Sequence, residues 1–372
     1  MGQKEDIKFL TILPNSDNEH LSLDMLNCIK RNIGKEKNII LEKLAIEENY
    51  KNQFISKCVK SGLLKIGDNE NDQVVNFNLD KHYFLGIGFN GNKCYLTLLN
   101  MKNELIKEDI LALDIYVKPK MKTDEIESII KILKKTSIEK NLINTVCIAV
   151  SDYLLGESKN LGQITAGISK IFGLSVRVVK HATACAYADK ESMKNIDTEI
   201  LYMYSDVGTG VVLKKELIFE ATNSTAVEGG EYLRPWNQYS MVAAAKDFVS
   251  KGVGTEIVHI VGGNLEKINT EIVLEAASKG DELSCDLVRR SGLALGLRVA
   301  YLIDLFNVKT VVFGGDIKEG EAVFIDTVKE SMGKFLDSGL IKQVKLIPGV
   351  LGKEASSFGA ASLSRRQIFM EV

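Results

Sequence analysis

A chain of 372 residues, 45% hydrophobic and 26% charged, is long enough for two or three cores and has the composition of an ordinary globular protein. Its net charge of −2 excludes a body that binds polyanions by bulk charge. The six cysteines (Cys28, Cys58, Cys94, Cys147, Cys185 and Cys285) form no C-x-x-C pair and lie mostly among apolar neighbours, the pattern of reduced core thiols. No apolar run reaches the roughly 18 to 20 residues that span a bilayer, and the start MGQKEDIKFL lacks the apolar core of a signal peptide. A cytoplasmic protein with no membrane partner is expected.

Residues 1–80 have their own texture. Amphipathic helical pieces around Leu23–Asn32 and Ile39–Ala45 precede EENYKNQFISKCVKSGLLKIG, where Phe54, Ile55, Cys58 and Val59 follow helical spacing and Gly62 is placed to end the helix. A polar turn, DNENDQ, then leads into the strand VVNFNL. Three helices, a turn and a strand are the order of a winged helix-turn-helix. From Tyr83 strands alternate with helices, the signature of α/β layers. YFLGIGFNGNKCYLTLLN predicts a hairpin turning at Asn90 and Gly91, and ILYMYSDVGTGVVLKKELIF repeats the design. Between them SVRVVKHATACAYADK predicts a strand feeding a small-residue helix, with Lys180 and His181 at the joint where α/β proteins usually keep their chemistry. One hairpin per half predicts two related lobes facing a cleft, residues 81–190 (with 355–372 returning to it) and 191–354.

The block AASKGDELSCDLVRRSGLALGLRVAYLIDLFNVKTVVFGGDI (Ala276–Ile317), the segment LGKEASSFGAASL and the hairpins before them resemble the ROK family of sugar kinases and sugar-responsive repressors. The resemblance implies an α/β chain with a two-lobed actin-like (ribonuclease H-like) ATPase fold. Repressors of that family carry a winged helix in front, as the first 80 residues here do.

Carried over position by position, the resemblance implies a body stripped of catalysis. The family's V-E-N-D-A-N-A-A-A reads Val178 to Ala186 here, so His181 replaces the catalytic aspartate and Lys180 an asparagine that holds sugar hydroxyls. The first phosphate hairpin, D-I-G-G-T-K, becomes Gly88 to Lys93, with Gly88 at the acidic position and Gly91 and Lys93 kept. The second phosphate loop keeps Gly208 and Gly210 but introduces Asp206. A carboxylate about 4 Å from a phosphate oxygen costs on the order of 4 kcal/mol at an effective dielectric near 20. Gly314 and Gly315 match the adenosine-side pair, which serves equally well as a tight strand-to-helix turn. The sugar motif E-I-G-H survives as Glu228-Gly229-Gly230-Glu231, with Glu231 in place of the zinc-binding histidine and no cysteine in the loop after it. No zinc, Mg·ATP or other cofactor is expected. Lys180, His181, Glu228 and Glu231 remain as candidate ligand contacts.

In the front domain, the matching repressor helix places Asn49, Lys51, Asn52, Gln53 and Lys57 as candidate DNA contacts. Glu47 and Glu48 suit the positive end of a helix but repel phosphates. The first 80 residues hold eleven Lys and Arg against thirteen Asp and Glu, which is not the basic footprint of a strong DNA binder. The expectation is a ROK-type transcriptional regulator, a repressor, binding a DNA operator as a homodimer and sensing a sugar or sugar phosphate. Two alternatives stand beside it: a glucokinase-like sugar kinase, and an inactive pseudokinase scaffold that binds no DNA.

Overall fold

The computed structural model describes residues 25, 28, 29, 32, 34, 35, 37–43, 47–60, 62–69, 72–90, 92–115, 121–150, 152–155, 157–193, 199–204, 209–214, 217–221, 238–314 and 321–367. The chain forms two compact units, Met1–Ala184 with Ser356–Val372, and Cys185–Ala355.

In the first unit, Met25, Cys28 and Ile29 are helical, and helices α1 (Lys37–Glu42) and α2 (Glu48–Lys60) and the antiparallel hairpin β1 (Leu64–Asn69) and β2 (Asp72–Phe77) follow. α2 buries Lys51, Phe54, Ile55 and Cys58, one stripe at helical spacing. It stops at Gly62, whose φ of +78° only glycine adopts without strain, and the Leu63 N–H returns to the Cys58 carbonyl at 2.9 Å. A five-stranded sheet follows in the order β5-β4-β3-β6-β7: β3 (Tyr83–Asn90), β4 (Lys93–Leu99), β5 (Leu105–Ala112), β6 (Ile143–Val150) and β7 (Val176–Lys180). β3, β4 and β5 are antiparallel, while β6 and β7 run parallel to β3.

Strand alternation splits β3 between two faces. Leu85 and Ile87 join the core under α3 (Thr123–Leu133) and α5 (Ser158–Phe172), which contribute Ile126, Ile129, Ile164 and Ile168; the one-turn helix α4 (Asp152–Leu155) precedes α5. Phe84, Gly86 and Gly88 face the other way. Phe84, Leu99, Met101 and Ala361 share one core with Met25, Ile29, Ile40, Phe54, Ile55, Cys58, Leu64 and Val75 of the front elements. The front elements are therefore packed onto the first sheet by a continuous apolar core. Deep burial pushes the Cys58 and Cys147 thiols up to about 12, so both are inert core residues.

Helix α6 (His181–Ser192) carries the division between the units. The second unit repeats the sheet plan as β10-β9-β8-β11-β12: β8 (Glu199–Tyr204), β9 (Thr209–Lys214), β10 (Leu217–Ala221), β11 (Thr310–Gly314) and β12 (Lys345–Pro348). Again an antiparallel hairpin and its neighbour are extended by two parallel strands. Its helices are α7 (Gln238–Ser250), α8 (Glu256–Val261), α9 (Thr270–Ser278), α10 (Glu282–Phe306), α11 (Glu321–Met332) and the short α12 (Ser338–Ile341). Asp281 caps α10, accepting from the Ser284 N–H at 2.9 Å and the Ser284 hydroxyl at 2.6 Å, and Asn307 ends it in the left-handed region. Gly292 and Gly296 let α11 approach closely: an added Cβ would lie 2.6 Å from Thr327 Cγ2 and 2.5 Å from Ser331 Cβ. The final helix, α13 (Ala355–Gln367), lies almost wholly in the first unit.

Candidate functional site

On α2 the residues opposite the buried stripe form one face. Asn49, Gln53, Ser56, Lys57 and Lys60 are exposed and Asn52 is half-buried. Two local bonds order it: Asn52 Nδ2 donates to the Glu48 carbonyl at 3.1 Å, and Gln53 Nε2 to Asn49 Oδ1 at 3.4 Å. Amides with two basic side chains behind them have the composition that reads base edges and phosphates. Lys51 is a correction to the expected contacts. It is only 8% exposed and starts the stripe continued by Phe54, Ile55 and Cys58, because helical spacing turns position 51 toward the core.

The positions matched to the phosphate and sugar motifs fare differently. Lys93 is exposed at the start of β4, paired in register with Asn90; Gly91 lies outside the described residues. Gly88 is closed by α13. A Cβ there would lie 2.1 Å from Ser356 Oγ and 2.9 Å from the Ser357 nitrogen. At Gly86 an added Cβ would meet the Ser357 carbonyl oxygen at 1.8 Å. This hairpin face is filled by the first turn of a helix.

Lys180 ends β7 opposite Val150 of β6, and His181 begins α6, both half-buried. Burial pushes the His181 imidazole down to about 4. The ring is neutral at pH 7 and a weak base, short of the near-neutral pKa that general-base catalysis favours. Gly210 lies in β9 opposite Met203 and Ala221. Asp206, Gly208, Gly315, Glu228 and Glu231 fall outside the described residues.

Gly314, at the carboxyl end of β11, is covered. A Cβ there would lie 1.7 Å from the Tyr202 hydroxyl oxygen, so the close approach that glycine permits is taken by a phenol of the same unit. Beside it stands a residue that sequence reasoning missed. Asp189 of α6 is fully buried and its Oδ1 accepts from the Val350 and Leu351 N–H groups, both at 2.8 Å. Burial pushes its carboxyl up, and the Tyr202 side chain and these two N–H groups oppose that shift. Gly349 admits the carboxylate: an added Cβ would sit 2.6 Å from Asp189 Oδ2. The only signal in the sequence was an acidic residue closing the alanine-rich run of α6.

No group of three or more His, Cys, Asp or Glu side chains is placed to hold a metal among the described residues. No described helix is long and apolar enough to cross a membrane.

Residues 244–367 match the ROK family. That match covers about a third of the chain. The chain is 25% identical over 114 residues to the glucokinase of Thermotoga maritima, a stretch that covers 31% of the chain and 36% of that relative. It is 31% identical over 65 residues to the DNA-binding transcriptional dual regulator NagC of Escherichia coli, 18% of the chain and 16% of NagC. These matches span about a third and a sixth of the curated relatives. Among solved structures, a ROK family transcriptional regulator homologous to the Escherichia coli MLC protein aligns over 94% of this chain and 97% of its own, with a TM-score of 0.72 at 12% identity. A ROK family glucokinase from Streptomyces griseus, in complex with glucose and AMPPNP, aligns over 76% and 99% with a TM-score of 0.60 at 17% identity. These likenesses show the fold: an α/β, actin-like ATPase architecture preceded by a winged helix-turn-helix.

Proposed function

We propose that this ROK protein is a cytoplasmic transcriptional regulator, a repressor, that binds a DNA operator as a homodimer through α2 and whose kinase-like body senses a sugar or sugar phosphate without phosphorylating it. The observation that carries the proposal is the continuous core joining the front elements to the first sheet, from Ile29, Phe54 and Leu64 to Phe84, Leu99 and Ala361. A winged helix packed this way moves with the sheet beneath it, so a ligand-dependent change in the body reorients paired α2 helices. The NagC match and the likeness to the MLC homologue support the same reading.

The competing kinase reading draws on the glucokinase matches. Against it stand three features: Gly88 closed by α13, Gly314 covered by Tyr202, and an imidazole with a pKa of about 4 at the position of the base.

The test is retention of genomic DNA fragments by the purified full chain. A regulator selects a twofold-symmetric site and Asn52→Ala weakens binding there by about 1 to 3 kcal/mol, leaving unspecific binding unchanged. Replacing Glu47 and Glu48 by Ser and Lys tightens binding to every duplex and steepens its salt dependence. No fragment preference at low salt, with only unspecific gain in the Ser-Lys variant, refutes the regulator and favours the scaffold.

A further inference from the structure

Asn32 gathers two lysines over one oxygen. Only 8% exposed, it donates its amide nitrogen to the Cys28 carbonyl at 2.9 Å, which leaves Oδ1 for other donors. Two ammonium groups donate to that oxygen, Lys43 Nζ at 2.6 Å and Lys35 Nζ at 3.3 Å, and both lysines are exposed. Two groups at those distances from one atom can be no more than about 6 Å apart, so the charges repel, and a neutral amide oxygen cancels neither. Among the described residues neither ammonium has a carboxylate partner, Glu42 beside Lys43 included.

The backbone fixes where this pair sits. The Gly34 N–H donates to the Val75 carbonyl at 2.9 Å and the Val75 N–H to the Lys35 carbonyl at 3.1 Å, so Lys35 is stitched to the second strand of the β1–β2 hairpin. Lys43 directly follows α1, and α2 begins shortly after it at Glu48. In a helix-turn-helix the second helix lies in the major groove while the first crosses the DNA backbone. α1 and α2 hold those two places in the chain, which puts the lysine pair on the elements that meet phosphates. A phosphate oxygen set between two ammoniums exchanges their repulsion for two charge-assisted hydrogen bonds. A front domain with thirteen acidic residues against eleven basic ones needs such attraction concentrated at a point, because its overall field supplies none.

We propose that Lys35 and Lys43, held over Asn32, grip one backbone phosphate of bound DNA between them. The inference rests on the regulator reading and adds a contact that positions α2 on the duplex without reading its sequence.

The test is the affinity of the full chain, over a range of salt, for a fragment retained from genomic DNA and for an unrelated duplex. Lys35→Gln with Lys43→Gln should weaken both alike, by about eightfold at about 0.1 M salt, and lower the salt slope by about 0.9 per chain, the counterion release of one phosphate. Each single change should weaken binding less, because the phosphate keeps the other ammonium. Lys140→Gln, at an exposed lysine of the first unit, should change neither affinity nor slope. Lysine footprinting of the wild type keeps the test independent of any folding defect. Duplex should shield Lys35 and Lys43 from acetylation and leave Lys140 reactive, and inorganic phosphate at the same phosphate concentration should shield none of them. A double variant with the wild-type slope, a fall near about 1.8 as two separate phosphates give, a loss on one duplex only, or shielding by inorganic phosphate as strong as by DNA overturns the contact while the regulator reading stands. A chain that binds both duplexes through this pair yet prefers neither overturns the regulator reading and leaves the contact standing. A wild type that binds no duplex at low salt overturns both.

Discussion

Gly86→Ala is the sharpest test of how the first unit is built. The new methyl would lie 1.8 Å from the Ser357 carbonyl oxygen, 2.6 Å from the Ala361 nitrogen and 2.9 Å from the Ser357 carbonyl carbon. All three are backbone atoms of α13, so no side-chain rotation relieves the clash and the helix must retreat from the sheet by roughly 1.5 Å, to ordinary van der Waals separation. That retreat strains two hydrogen bonds, Thr97 to Ser357 at 2.7 Å and Ser364 to Thr145 at 3.0 Å, and the contact of Ala361 with Phe84 and Leu99. Overpacking costs about 1 to 3 kcal/mol and each lost bond about 1 more, giving a loss of roughly 3 to 5 kcal/mol. Against a typical total of about 5 to 15 kcal/mol this is a large fraction. Urea unfolding followed by circular dichroism measures it. Gly162→Ala is the control: it sits in α5 with nothing within 4 Å of its added methyl and should stabilise by up to about 1 kcal/mol. If Gly86→Ala unfolds at the wild-type midpoint, α13 does not pack against β3 as described.

Other outcomes follow from the regulator reading, from the sequence after Glu231 and from the buried histidines. The protein should not phosphorylate common hexoses with Mg·ATP; turnover near about one per second, in the range of ordinary enzymes, refutes the loss of catalysis. Elemental analysis of the purified chain should find no stoichiometric zinc, and one zinc per chain would overturn the alignment through Glu231. His181 gives a pH signature. Because the fold lowers its pKa from 6.5 to about 4, it favours the neutral ring, so stability from this group is full above pH 6.5 and is lost as pH falls through 6.5 toward 4. The lowered His82 adds to the same slope. His181→Asn should flatten urea midpoint against pH between 7 and 4, and an unchanged slope refutes the burial of its ring.

What could be foreseen in the chain was local. The hairpins around Asn90 and across Tyr204–Thr209, the strand-to-helix joint at Lys180 and the end of α2 at Gly62 each depend on a few consecutive residues, whose spacing reports them. What escaped depends on partners far along the chain. Lys51 matches a groove-facing position of the repressor helix, yet its place among Phe54, Ile55 and Cys58 turns it inward. Asp189 meets Val350 and Leu351, some 160 residues later, and no local pattern marks that pairing.

Gly88 shows why the distinction matters for function. Beside family motifs it reads as a lost carboxylate; in the fold it is also a position where any side chain would strike Ser356 and the Ser357 backbone. Restoring an aspartate at 88 would therefore not restore a phosphate site, because the helix that fills the space must first move. On the regulator reading, kinase activity would need coordinated change in β3, at the start of α13 and at position 181. A body built this way can keep the architecture of a kinase while its hairpin serves packing, and that packing includes the core to which the winged helix is joined.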